Sequence, residues 1–368
     1  MDKGSYTFLN LESKYGGFLA PEFTVTVGSK KISSSGMQMT SLNVDIESGQ
    51  SAGGCRFVLE SHFDYDKGKW GDDLIDTIEV GAKISVEAGY VAKKEIFFGF
   101  VDDYTVEYSQ QTARRLTVSG IDAKGYLMSA KDNAYMSEET INDVVTKMLN
   151  ECVSKGYAKS LTLGTMQPYK AQLIQEKMDD NQYLCFLAGM QGMQFFIVNG
   201  EIIFDNLMSN TNLILTLTLG VNLMAFSKRQ SLNKQIGKVV VYGVDPLTKK
   251  PISGEADSLS SSGSKGKPAS EWAPGFKSAI EKEHNHLVST PEECKKLAQA
   301  RLDARASSFV SGKGRCIGIP ELIPGRYIEI EGLDKRSNDT YFISKVTHEY
   351  SSDNGYFTSF EVKGAKGK

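Results

Sequence analysis

Residues 312–364 read GKGRCIGIPELIPGRYIEIEGLDKRSNDTYFISKVTHEYSSDNGYFTSFEVKG, a stretch that permits few folds. Runs of β-branched and aromatic residues fall at 315–319, 327–331, 341–350 and 357–363. Pro324-Gly325, Gly332, Ser337-Asn338-Asp339 and Asp353-Asn354-Gly355 separate them. That pattern predicts short antiparallel strands joined by turns. In Tyr327, Ile328, Glu329, Ile330, Glu331 the side chains alternate, with isoleucine on one face and glutamate on the other. Asn354-Gly355 suits a tight hairpin, because its central positions tolerate φ > 0.

The same grammar recurs upstream. After an arm over residues 1–20, expected to be extended, strands are expected at 22–27, 36–47, 55–60, 83–89, 95–108 and 114–120. Six strands at short spacing imply an antiparallel sandwich or barrel. His62 and Trp70 lie in the connection 61–78, expected to be a surface loop with a short helix near 72–77.

The period then changes from two to 3.6. Ile141, Val144, Val145, Met148, Leu149 and Cys152 mark a helix over 137–155, with Ser137 as the expected N-cap, Glu138 and Glu139 in its first turn and Gly156 at its end. A second helix is expected at 181–191, followed by MQFFIVNGEIIFD at 193–205, where Asn199-Gly200 signals a hairpin. Residues 213–223 alternate Leu and Thr and open another β region, with strands at 226–230 and 238–245 and a connection at 245–252. The Ser/Gly-rich segment 257–270 is expected to be a flexible linker. A third helix is expected at 291–310, capped by Thr290 with Pro291 at its first position and Glu292-Glu293 facing the dipole.

Composition narrows the function classes. A chain of 368 residues implies two or three domains, and 40% hydrophobic with 24% charged residues is ordinary globular composition. A net charge of −3 provides no global pull toward nucleic acid or anionic membrane. No apolar run reaches the roughly 18 residues of a membrane span. The N-terminus lacks a signal-peptide layout, so synthesis in a cytoplasm is expected. Cys55, Cys152, Cys185, Cys294 and Cys316 are scattered and odd in number, and are expected as reduced thiols, mostly in cores.

The chain offers little for chemistry. Glu283-His284-Asn285-His286 contains the only close histidine pair, without a third ligand at metal spacing, and is expected in a solvated loop. His348 is expected as a packed, hydrogen-bonded strand residue. Asp72-Asp73, Asp102-Asp103 and Asp179-Asp180 are adjacent carboxylates, which point to opposite faces of a strand and do not make a dyad. No G-x-S-x-G elbow occurs, and Gly312-Lys313-Gly314 and 263–267 lack the strand-to-helix context of a phosphate loop. Lys228-Arg229, Lys249-Lys250, Lys295-Lys296 and Arg114-Arg115 are not interleaved with aromatics as in single-strand binders. No catalytic, cofactor-binding or metal-ligating residue is assigned, no cofactor is expected, and any nucleic acid would meet the chain as a conduit rather than a sequence reader.

The order of Pro320, Leu322, Pro324, Gly325, Gly332, Tyr341, Val346, His348, Gly355, Tyr356 and Thr358 resembles the second barrel of the phage late-control protein D / VgrG-like baseplate hub family. The helix and strand–Asn-Gly–strand pattern around 181–205 resembles that family's α/β insertion. The resemblance covers the chain from about Glu22 and is strongest over 179–252 and 290–364. It implies a mainly β fold with an α+β insertion. The parts are a first tail-tube-like antiparallel barrel or sandwich at 1–128, an insertion at 129–210 and a second barrel at 211–368. It further implies a homotrimeric, pseudo-hexameric ring in a contractile phage tail or tail-like injection particle. Its partners would be the tail tube or tube-initiator protein, a separate central spike protein, baseplate wedge proteins and the tape-measure protein. The particle would be a virion or an extracellular tail-like assembly. A tail-associated cell-wall hydrolase and a glycan-binding baseplate protein, using Trp70 and Trp272, are the competing readings.

Overall fold

The computed structural model describes residues 3–33, 39–61, 63–64, 66, 69–70, 78–109, 114–129, 131–135, 140–167, 173–260 and 263–368. The first third of the chain holds α1 (Phe8–Lys14), β1 (Glu22–Val27), β2 (Lys30–Ser33), β3 (Met39–Glu47), β4 (Gly54–Ser61), β5 (Phe63–Asp64), β6 (Lys69–Trp70), β7 (Lys83–Gly89), β8 (Lys93–Glu107) and β9 (Arg114–Ile121). The middle holds α2 (Ala123–Ser129), β10 (Lys131–Tyr135), α3 (Ile141–Ser154), β11 (Ser160–Leu163), β12 (Ile174–Asp179), α4 (Asp180–Gln191), β13 (Gln194–Val198) and β14 (Glu201–Asp205). The rest holds β15 (Leu213–Thr218), β16 (Leu223–Gln230), β17 (Lys238–Val244), β18 (Pro251–Ala256), α5 (Ala269–Trp272), β19 (Ile280–His284), α6 (Pro291–Ala306), β20 (Val310–Ile317), β21 (Tyr327–Glu331), β22 (Asp339–Ser351) and β23 (Gly355–Gly364).

The fold is mainly antiparallel β, as expected, but its two β regions are not separate. A single 13-stranded sheet runs β16-β20-β23-β22-β3-β4-β9-β8-β7-β1-β2, with β21 pairing β22 and β15 pairing β21. The strand β22 makes the fusion. Its first half pairs with β21 (Tyr327↔Phe342 to Ile330↔Asp339), and its second half pairs with β3 (Lys345↔Glu47 to Ser351↔Ser41). The register irregularity between Ile343 and Lys345 marks the changeover; such a bulge re-aims a strand. Strand alternation then places Leu42, Val44 and Ile46 of β3 in the same buried cluster as Val346, Phe360 and Val362. Each such side chain stabilises the fold by ~1.5–3 kcal/mol through burial.

A second core lies beside the sheet. It joins Val144, Val145 and Leu149 of α3, Leu184 and Leu187 of α4, Ile202 and Phe204 of β14, Val239 and Val241 of β17, and Leu297 and Leu302 of α6. The allotment of 211–368 to one barrel therefore needs correction. Residues 238–306 contribute the small sheet β18-β17-β19 and α6, whose apolar faces pack with the insertion and not with the large sheet.

Other expectations shift locally. The arm is not extended throughout: Thr7 Oγ1 accepts from Asn10 N and caps α1, which buries Leu11. The N-cap of α3 is Thr140, not Ser137; Ser137, Glu138, Glu139, His62 and the helix expected at 72–77 lie outside the described residues. The second helix begins at Asp180 behind an Asp179–Gln182 capping box. The third helix ends at Ala306, and Val310 already opens β20. The connection at 245–252 is a turn whose last residues enter β18. The segment 257–270 is docked where it is described: Ser260 bonds Asp303 through N and Oγ, Lys265 N donates to Asp339, and Lys267 bridges Gly367. This mostly polar tract is held here by those hydrogen bonds and by two apolar side chains, Leu259 packed against the second core and Ala269 within the core of the large sheet.

Candidate functional site

Charged and hydroxyl side chains are organised in rows on the outer face of the large sheet, where the two β regions join. Its side chains follow from register. One row runs Ser227–Lys313–Glu361–Lys345–Glu47 across β16, β20, β23, β22 and β3. The next runs Ala225–Arg315–Ser359–Thr347–Asp45 across the same strands. A third continues past the junction as Phe357–Glu349–Asn43–Arg56–Ser119–Asp103, through β4 and β9 to β8. The alternation that buries Val44, Ile46, Val346 and Phe360 thus aims short hydroxyls and charges outward on every strand.

The charges are paired across strands. Lys313 Nζ lies 2.6 Å from Glu361, Arg315 lies 3.6 Å from Glu349, and Lys345 lies 3.4 Å from Asp45 and 3.5 Å from Glu47. Thr347 Oγ1 donates to Asp45 at 2.6 Å, and the Arg315 guanidinium sits 4.2 Å over the Phe357 ring. Burial alone would lower the Lys345 ammonium, but Asp45 and Glu47 outweigh it and hold the group above its ordinary value. Part of this face forms a shallow groove of about 460 Å³ floored by Ala225, Ser227, Gly314, Thr347 and Ser359.

Two buried polar joints hold the architecture behind the face. In the first, the fully buried Lys124 of α2 donates to the carbonyls of Gly49, Ser51 and Phe195 and lies 4.9 Å over the Phe195 ring. Asp122 beside it accepts from Gly53 N and Lys124 N, each at 2.9 Å. Burial pushes the Asp122 carboxyl up to about 6 against the pull of Lys124, and burial likewise lowers the Lys124 ammonium. This joint ties the β3–β4 turn to the insertion strand β13. In the second, the arm reaches the loop at 318–326: Tyr15 Oη and Lys14 Nζ both donate to Glu321 at 2.7 Å, Tyr90 Oη donates to Gly318 O at 3.1 Å, and Arg326 donates to Gly4 O at 2.9 Å.

His348 lies within the core, as expected. Its Nδ1 is 2.8 Å from Tyr356 Oη and 3.1 Å from Thr358 Oγ1, and burial lowers it to about 3, so it is neutral at ordinary pH. Burial raises Tyr356 well above its ordinary value. His284 is not in a loop: it ends β19 and stacks on Tyr242, with ring centroids 5.0 Å apart. His286 lies two residues beyond. No group of three His, Cys, Asp or Glu that could hold a metal occurs among the described residues. Asp103 falls on the polar face, just past a register irregularity that includes Asp102, while Asp179 caps α4. Asp72-Asp73 lies outside the described residues. Trp272 is 47% exposed and donates Nε1 to Gly367 O; Trp70 ends β6. The thiols of Cys55, Cys152, Cys294 and Cys316 are buried. The residues that sequence reasoning overlooked are Lys124, Glu321 and the charge rows. Alternation within each strand was visible, but the pairing of Lys345 with Asp45 spans 300 residues of chain.

The architecture is that of phage tail proteins. It is similar to a 43 kDa tail protein of prophage MuSo2 from Shewanella oneidensis, with TM-score 0.66, 16% identity and coverage of 93% of this chain and 98% of that one. It is similar to a tail protein from Neisseria meningitidis MC58, with TM-score 0.65, 14% identity and coverage of 94% and 97%. It is also similar to an E. coli component of the type VI secretion system, itself described as similar to T4 bacteriophage tail proteins gp27 and gp5, with TM-score 0.59, 13% identity and coverage of 94% and 78%. A family model described as the Alg8 N-terminal domain matches residues 21–352, and the chain belongs to that family. No curated protein matches the sequence. No helix among the described residues is long and apolar enough to cross a membrane.

Proposed function

We propose that the chain is a structural hub of a contractile phage tail or related injection particle, forming a trimeric ring between a hexameric tube and a trimeric spike. The observation that carries this reading is the continuous polar sheet face with an open strand edge at each end. At one end β16 pairs only with β20 among the described residues, apart from a bridge at Leu223. At the other, the half of β8 beyond Val101 pairs only with β9 among the described residues. Both edges carry exposed apolar side chains: Met224 is 53% and Val221 63% exposed near β16, and Tyr104 is 40% exposed on β8. Open edges are liabilities that a closed ring removes. Three copies meeting β16 against β8 would line a channel with the hydroxyl-rich face and give six β regions around it. Likeness in fold to phage tail proteins over nearly the full chain supports this reading, as does the resemblance of the motifs at 320–358. On this reading the chain is not an enzyme. Its partners are its own copies, a tube protein and a spike protein, with wedge and tape-measure proteins as neighbours in an assembled particle.

Light scattering and negative-stain imaging of the purified chain, alone and with candidate spike protein, test this. Rings of three copies are expected, and Met224→Lys with Tyr104→Lys would give folded monomers by charging both edges. A chain that stays monomeric at high concentration with spike protein present would overturn the proposal.

A further inference from the structure

The groove on the polar face has the ingredients of an anion site. Lys313, Arg315 and Lys345 converge over a floor of Ser227, Thr347 and Ser359 hydroxyls. Each of those three cations is met by a carboxylate from an adjoining or nearby strand: Glu361 for Lys313, Glu349 for Arg315, and Asp45 with Glu47 for Lys345. These carboxylates are half-exposed, between 36% and 45%, so their burial contributes little to the fold. Exposed pairs of this kind add little stability, with a median of about 0–1 kcal/mol. Specificity can be achieved by building repulsion against a ligand as well as attraction toward another. Two of the carboxylates, Asp45 and Glu47, come from β3, so the shielding is complete only where the two β regions fuse.

We infer that Asp45, Glu47, Glu349 and Glu361 are shield residues that keep the face from retaining polyanions, duplex nucleic acid above all. The inference deepens the hub reading by specifying how a channel lined by this face treats its cargo: a polyanion is passed and not held. A bare cationic groove would trap nucleic acid, because each phosphate neutralised releases counterions and adds affinity. With the shield present, entry of a phosphate must displace a carboxylate already seated on each cation. The expected surface is neutral in small patches and slippery to charge of either sign.

The test uses the full chain and a fluorescein-labelled DNA duplex, read by fluorescence polarisation at low and moderate salt. Wild type is expected to show no saturable binding. The variant D45N/E47Q/E349Q/E361Q is expected to bind, and freeing three cations would make its affinity fall by about 40-fold between ~50 and ~200 mM salt. A control variant, E12Q/E79Q/E176Q/D257N, removes the same number of charges from exposed positions elsewhere and is expected to remain silent. Circular dichroism and thermal melting establish that each variant is folded; should the quadruple variant not fold, the pairs D45N/E47Q and E349Q/E361Q are assayed in its place. Saturable, salt-dependent binding by wild type would overturn the inference. So would equal gains in both variants, or no gain in folded face variants. The assay works on a single copy, so its outcome is independent of ring formation, and light scattering on the same samples separates failure of the hub reading from failure of the shield.

Discussion

Replacing Lys124 by Met should loosen the insertion from the large sheet more than any other single change on that boundary. The substitution keeps the volume and removes the ammonium that three carbonyls share. Leaving a buried acceptor unpaired costs about 1–3 kcal/mol. Removal of Lys124 also takes away the positive charge that pulls the Asp122 carboxyl down, while the two backbone hydrogen bonds that Asp122 accepts remain. With three carbonyls losing their donor, partly offset by no longer burying a charge, the net loss is expected at ~3–5 kcal/mol. A chain with two cores need not unfold in one step, so local opening is the appropriate readout. Hydrogen exchange of the β13 amides, measured by mass spectrometry, should accelerate by roughly two to four powers of ten. Asp122 supplies an internal check. Its carboxyl is raised to about 6 in the folded state, so the native protein binds more protons than the unfolded chain just below that pH. Stability from this group is accordingly present at low pH and is lost as pH rises through about 6. Without Lys124 that loss should grow, and the double variant D122N/K124M should abolish it. A Lys124→Met protein whose β13 amides exchange within a factor of ten of wild type at pH 7 would refute the reasoning.

Three further outcomes are expected. Gly200→Ala should destabilise the contact of the β13–β14 turn with β8 by about 1–3 kcal/mol, because φ is +81° and the new Cβ would lie 2.6 Å from the Phe98 ring; exchange of β13 and β14 reads it. Tyr15→Phe should leave Glu321 with Lys14 alone and expose the arm, so trypsin cleavage after Lys14 should accelerate while the sheet core keeps its protection. His348 is held at about 3 in the fold, below its ordinary value, so its contribution is present above pH ~6.5 and is lost as pH falls toward about 3. A folded His348→Gln variant should therefore show a shallower acid limb in thermal melting at pH values from 6 down to 4.

Much of the fold can be read from local pattern. The strands β1, β7 and β21 have the bounds that alternation indicates, and the Asn199-Gly200 turn has both residues at positive φ between β13 and β14. Thr290 and Pro291 start α6 as cap and first turn require. Such features depend on neighbours within a few residues, so the amino-acid order suffices. What failed needed distant partners. The order around Lys250-Pro251-Ile252 reads as a connection, and β18 exists because β17 offers a ladder from Val239↔Ala256 to Val244↔Pro251. The Ser/Gly tract reads as a linker because it is mostly polar, and it is docked because Asp303 and Asp339 supply acceptors and because Leu259 and Ala269 find apolar neighbours.

The candidate site divides in the same way. Alternation alone determined that Asp45, Glu47, Lys345, Thr347, Ser359 and Glu361 point away from the core. Only the tertiary structure decided that they form one surface, because β22 leaves β21 at its bulge and takes β3 as its new neighbour. A strand's own sequence specifies which side chains face out, since its side-chain period is two. It does not name the partner that completes the ladder, because backbone hydrogen bonds are the same for every candidate strand.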